Sequence, residues 1–156
     1  MKRLSVLAVL VVLGATALVV AVTSGGASGS GAGARTRAVL GLRSTALGSI
    51  LVGAKSRTLY LFEADPANKS NCSGACASVW PPFTSAGRPL ARGGAAASNV
   101  ATIAIGGGKR QVTYKGHPLY YYAGDQKPGV TSGQGLRQFG AAWYVLAPSG
   151  HKIDND

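Results

Sequence analysis

Two patterns of apolar positions divide the chain. From Leu4 to Val22 it runs 19 residues without a charge, broken only by Ser5, Gly14 and Thr16. With Met1-Lys2-Arg3 ahead of it, this run reads as the basic start and apolar stretch of an export signal. It is also long enough to span, since about 20 apolar residues cross a bilayer. Cleavage among the small residues from Ala21 onward and retention as an anchor both remain open. Either outcome puts the rest of the chain outside the cytoplasm, because the positive flank stays inside. No cysteine follows the apolar run, so no lipid can be attached there. From about Ala46 the pattern changes to short apolar runs separated by Gly, Pro, Asn and Lys. Residues 49–52, 58–62, 101–105, 110–114, 117–122 and 143–147 read as strands. Residues 54–57 and 106–108 read as turns, and Lys115-Gly116 suits a two-residue hairpin, because Gly tolerates positive φ. One helical turn is predicted over 73–79, ended by Trp80-Pro81-Pro82, where N–H groups are missing and the preceding backbone is restricted. Residues 84–99 and 123–140 read as long loops.

The apolar runs repeat. Residues 58–65 (Thr-Leu-Tyr-Leu-Phe-Glu-Ala-Asp) match 118–125 (Pro-Leu-Tyr-Tyr-Tyr-Ala-Gly-Asp) at an offset of 60, with Val52 matching Val112 and Lys55 matching Lys115. A period of this size marks a duplicated supersecondary unit, and 52–65 and 112–125 are expected to superpose as hairpins. In a strand, alternate side chains share a face. Tyr60 and Phe62 then point one way and Leu59 and Leu61 the other; Tyr120 and Tyr122 stand likewise against Leu119 and Tyr121. Strands apolar on both faces belong in the centre of a domain. The expectation is an all-β fold, a compact antiparallel β domain (sandwich or barrel-like) built from two related β-hairpin repeats. It occupies 46–150, half one being 46–83 and half two 101–147. Ahead of it stand an apolar helix (1–23) and a flexible linker (24–45), and a tail (151–156) follows.

Composition adds a partner class. Gly is high at 23 residues and charged residues make up only 13%, which suits a turn-rich β domain. The formal net charge is +11, which favours anionic partners. Residues 23–34 are Gly, Ser, Ala and Thr only, and Arg35, Arg37 and Arg43 follow. They form either a solvated basic tether or a point of adhesion to anionic lipid or wall polymer. No nucleic-acid-binding motif accompanies the charge.

Candidate chemistry is sparse. Cys72 and Cys76, outside the cytoplasm, are expected to form a disulfide; a Cu(I) site or a redox-active pair are the alternatives. Asp65 and Asp125 fall just past their strands, where a carboxylate commonly fixes a turn; a paired-carboxylate site is the sharper reading. The tyrosines are either core residues with bonded hydroxyls or an aromatic platform for a sugar or a planar ligand. His117 and His151 are the only histidines. Nothing resembles a nucleophile elbow, a His-Glu-x-x-His helix or a phosphate loop. No catalytic residue, metal ligand or cofactor is assigned.

Taken together, Leu59-Tyr60-x-Phe62-x-x-Asp65, Cys72-x-Gly74-x-Cys76 and Trp80-Pro81-Pro82 resemble the bacterial secreted-repeat family, predicted lipoproteins with a Tyr-x-aromatic-x-x-Asp motif. The second half is similar too, through Gln111-Val112-Thr113-Tyr114, Gly116-x-Pro118-Leu119-Tyr120, Tyr122, Asp125, Gly133-Gln134-Gly135 and Trp143-Tyr144-Val145. The likeness covers about residues 48–150. It implies an all-β, cell-envelope repeat protein of uncharacterised function. The expected role is a non-enzymatic extracytoplasmic module, secreted or held by its N-terminal segment. Its expected partners are anionic wall polymer, lipid head groups or another envelope protein, with nucleic acid excluded. The alternative is a redox or metal-handling protein working through Cys72 and Cys76.

Overall fold

The structure, a computed structural model, describes residues 36–154. The expected export segment, and the linker up to residue 35, lie outside these residues. Nine short strands and one helical turn follow in order: β1 (Val39–Thr45), β2 (Gly48–Val52), β3 (Tyr60–Phe62), α1 (Ala75–Val79), β4 (Leu90–Ala91), β5 (Val100–Ala104), β6 (Arg110–Tyr114), β7 (His117–Pro118), β8 (Arg137–Gln138) and β9 (Ala141–Val145). They make three three-stranded sheets, ordered β2-β1-β4, β3-β9-β8 and β5-β6-β7. Every pairing is antiparallel except β1 with β4.

Two expected boundaries move. Residues 39–45, assigned by sequence to the linker, are strand β1. Ala38 and Leu40 are buried and Leu42 is half-buried, while Arg37, Val39 and Arg43 face out. That period of two was hidden by the basic residues around it. At the other end the expected tail is tied in. Ile153 donates its N–H to Val145, Ala147 donates to the carbonyl of His151, and Leu146 bridges Lys152. The expected loops 84–99 and 123–140 also carry the short strands β4 and β8.

The duplication survives in three dimensions. The β1–β2 hairpin of the first copy corresponds to β5–β6 of the second, and β3 and β7 follow their hairpins. The turns fall where expected: Lys55 and Ser56 have φ of 55° and 53°, and Lys115-Gly116 have 50° and 83°. The return strands diverge. In the second copy Thr113 and Tyr114 face Pro118 and His117. In the first copy a single bridge, Val52 to Thr58, closes the turn. Beyond it β3 leaves to pair with β9 of the other half, Tyr60, Leu61 and Phe62 facing Val145, Tyr144 and Trp143.

At the centre, Tyr60 and Tyr120 exchange two backbone hydrogen bonds, of 2.9 and 3.0 Å. Each is the other's counterpart at the offset of 60, so an approximate two-fold axis passes between them. The alternation of side chains builds a core on each side of this junction. Leu59, Leu61, Leu119, Val112 and Tyr114 lie in one, with Tyr121 packed against it. Tyr60, Phe62, Tyr120, Trp80 and Trp143 lie in the other, with Tyr122 at its margin.

Candidate functional site

The Tyr and Asp residues of the two copies are brought together crosswise. The Tyr60 hydroxyl donates to Asp125 Oδ2 at 2.6 Å, and the Tyr120 hydroxyl donates to Asp65 Oδ2 at the same distance. Each carboxylate spends its other oxygen on a loop N–H: Asp125 accepts from Ser132 at 3.0 Å and Asp65 from Asn71 at 2.7 Å. Each phenol oxygen has a second partner, Gly133 N–H on Tyr60 and Ser70 Oγ on Tyr120. Two reciprocal clasps therefore lock one copy to the other. Burial, reinforced by the hydrogen bond to the carboxylate, pushes both phenols well above their ordinary value. The clasps are not equivalent in exposure. Asp125 is 3% exposed, whereas Asp65 is half-buried, and burial raises its carboxyl despite the bonds from Tyr120 and Asn71.

The aromatic rings obey the same exchange. Phe62 stacks on Trp143 with centroids 4.2 Å apart, and Tyr122 lies against Trp80 at 4.4 Å. Trp80 and Trp143 stack on each other at 3.9 Å and 5°, completing a column of four rings. Tyr60 meets Trp80 edge-on and Tyr120 meets Trp143 the same way. Gln138 fixes both indoles, its side-chain oxygen accepting from Trp80 Nε1 and its carbonyl from Trp143 Nε1. Gly133 is required by close approach, because a Cβ there would lie 2.7 Å from Trp80 and 2.9 Å from Tyr60. Gln134 ties Val145 N–H to the carbonyl of Ile153, and Gly135 donates to Trp143. Pro82 bridges Tyr120 and the Pro81 carbonyl accepts from Tyr121 N–H. Tyr114 donates to the Pro148 carbonyl and accepts from Ala96 N–H. With Trp80, Trp143, Tyr60 and Tyr120 fully buried, these rings are core, and Tyr60 and Tyr120 have no face open to a ligand.

Cys72 and Cys76 form a disulfide with Cα atoms 5.2 Å apart. It closes one turn at the start of α1, and both residues sit in the core cluster that holds Trp80. Among the described residues there is no free cysteine and no group of three or more His, Cys, Asp or Glu placed to hold a metal. His117 and His151 do come together. They line a cavity of about 310 Å³ with Asp65, Glu63 and Lys152. Burial, then the charge of His151, lowers His117, and Asp65 opposes that shift.

The carboxylates and the cations are segregated. Among the described residues the acids are Glu63, Asp65, Asp125 and Asp154. Two hold clasps, and the other two both bind Lys152, at 2.8 and 2.6 Å. The exposed Arg37, Arg43, Lys55, Lys69, Arg88, Arg92, Lys109, Arg110, Lys115, Lys127 and Arg137 carry the opposite sign. Where these guanidiniums are held, neutral groups hold them. Arg37 Nε donates to the Arg88 carbonyl, and Arg110 donates to Thr102 Oγ1 and carbonyl.

Sequence reasoning found the Tyr, Asp, Trp and Cys residues but not their crosswise partners. It missed Gln138, in the two-residue strand β8, and Ser70, Asn71 and Ser132, in polar loops, none with a period to mark it. It also left Tyr121 without a role. The Tyr121 ring packs at the margin of the core and is half-buried, with the Arg57 guanidinium 4.4 Å from its centroid and its hydroxyl accepting from Ala54 N–H.

Comparison with curated proteins finds no match, and comparison with solved structures finds none. A family described as a secreted repeat of unknown function matches residues 41–84 and 101–147. Those two segments are the two copies seen in the fold, and together they span more than half of the chain. The family's description as secreted agrees with a formed disulfide, so the domain is extracytoplasmic. By this double match, one copy for each half of the clasped pair, the chain belongs to the secreted-repeat family of unknown function.

Proposed function

We propose that the protein is a non-enzymatic module of the cell envelope that binds an anionic envelope partner through its basic surface. The observation that carries this reading is the disposal of its acids. Both aspartates of the copies are enclosed in clasps, and Glu63 and Asp154 are spent on Lys152. Among the described residues, the ion pairs of the carboxylates are made with Lys152, so the field of the other surface cations is left for a partner. A catalytic role for Asp65 and Asp125 is disfavoured, since each is committed to a tyrosine and a backbone N–H. A redox role for Cys72 and Cys76 is disfavoured by burial, at 7% and 6% exposure, because exchange needs an accessible sulfur.

Two experiments test the reading. Titration calorimetry with a poly(glycerol phosphate) oligomer should show binding that weakens steeply with salt, as counterion release demands. Absence of binding in low salt would sink the proposal. Replacing both cysteines with serine should lower stability by about 2 kcal/mol and leave polymer affinity unchanged. Lost binding at unchanged stability would transfer the function to the cysteine pair.

A further inference from the structure

Five of the eleven exposed cations named above line neighbouring clefts. Three adjoining clefts run across one region of the domain. The first, about 520 Å³, lies between residues 84–86 and 107–110. The second, about 370 Å³, is lined by Arg37, Val39, Phe83 and Tyr121 and shares Thr84 with the first. The third, about 410 Å³, is lined by Leu42, Gly53, Lys55 and Arg92 and shares Val39 and Ala54 with the second. Among the described residues, five cations border this groove, Arg37, Lys55, Arg92, Lys109 and Arg110, and no carboxylate does. Glu63 and Asp65 line the separate cavity that holds both histidines.

The floor differs from the walls. Phe83 and Tyr121 meet edge-on at 5.4 Å in the middle cleft. Tyr121 is the counterpart of Leu61, which is buried in the core; at this position the second copy places a half-buried ring instead. The ring is fixed on three sides. Its hydroxyl accepts from Ala54 N–H, Arg57 covers one face, and its oxygen comes so close to Gly53 that a Cβ there would lie 2.4 Å away. Arg37 and Arg110 are held by neutral acceptors, which orients them while leaving their charge uncompensated. Groups fixed before a ligand arrives lose less freedom on binding it.

We propose that this groove is the binding site for an extended phosphodiester polymer of polyol or sugar units. The cations along the walls match spaced phosphates, and the half-buried Tyr121 ring, backed by the buried Phe83, matches the C–H faces of the units between them. A concave, elongated site suits a chain and not a flat bilayer surface. This inference rests on the proposal that the basic surface binds an anionic partner, and its test separates the two.

Wild-type protein is compared with two double variants of equal net charge, Arg37→Glu/Lys109→Glu in the groove and Lys69→Glu/Arg137→Glu outside it. All four positions are exposed, and thermal melting checks that each variant is folded. Affinity for poly(glycerol phosphate) should fall about tenfold or more in the groove variant and less than about threefold in the other. Equal losses would overturn the groove while leaving the surface-charge reading standing; no binding by wild type to either the polymer or phosphatidylglycerol vesicles would overturn both. Tyr121→Leu should weaken binding of the polyol polymer but not of inorganic polyphosphate, which has no C–H face to lay on the ring, and Tyr121→Phe should bind both normally. An unchanged affinity of Tyr121→Leu for the polyol polymer would overturn the assigned floor. Binding to phosphatidylglycerol vesicles without binding to free polymer would assign the surface to the membrane and overturn the proposal.

Discussion

Removing one phenol oxygen has different consequences at the two clasps, although the residues are counterparts. Tyr60→Phe leaves the Asp125 carboxylate, 3% exposed, with only the Ser132 N–H, so the lost bond carries the cost of an unpaired buried charge. Tyr120→Phe leaves Asp65 half-buried and beside a cavity that water can enter. Urea unfolding should show about 3 kcal/mol lost in the first and about 1 kcal/mol in the second. Equal losses would mean that exposure does not set the difference. The same phenols set the alkaline limit. Their folded values are raised above the ordinary 10.0 by burial first and the carboxylate bond second. Their contribution is complete below pH 10 and is lost as pH rises, because the unfolded chain releases those protons first. Melting temperature should therefore fall steeply above pH 10, with tyrosinate absorbance appearing only on unfolding. A Tyr60→Phe/Tyr120→Phe variant should be less stable at neutral pH and show a flatter alkaline slope.

At the scale of elements, the loop at 133–135 matters as much as any strand, since it seats both Trp80 and Tyr60. Gly133→Ala should cost about 2–3 kcal/mol, because the added methyl overpacks two rings that neither the stack nor the clasp allows to move. A shift of the denaturant midpoint measures it, and near-neutral stability would show that the ring column yields. The turns at 54–57 and 115–116, the strand positions in 49–52 and 110–114, and the stop at Trp80-Pro81-Pro82 were legible in the sequence. Each is written in neighbouring residues: Gly116 or a short polar stretch at the turns, short apolar and β-branched runs in the strands, and missing N–H groups at the prolines. Strand β1 was not legible. Its buried residues alternate with Val39, Gly41 and Arg43, in a stretch continuous with the basic, Gly-rich linker. The departure of β3 toward β9 was equally hidden. Tyr60, Leu61 and Phe62 are apolar on both faces and so can pair on either edge; the choice depends on Trp143 and Tyr144, more than 80 positions away.

For the molecule as a whole, the long-range pairings make each half dependent on the other. β3 has its strand partner in the second half, and both clasps, both flanking ring stacks and the Tyr60–Tyr120 bridge cross between copies. Cutting in the exposed turn at Gly93-Gly94 should give fragments 1–93 and 94–156, neither with a near-ultraviolet circular dichroism signal alone. Mixed, they should regain it. A fragment that folds by itself would show that the copies are independent domains. What the duplicated motif reveals in sequence is that there are two copies; what it conceals is that each copy's tyrosine is bonded to the other copy's aspartate. That exchange has a consequence for lineage. A polypeptide with one copy would carry a tyrosine and an aspartate that cannot meet each other, and two such polypeptides would satisfy both only as a symmetric dimer with the same patch on each subunit. The present chain carries both copies, so its connecting segment holds them at a local concentration in the millimolar range, which two separate subunits would have to reach by chance encounter.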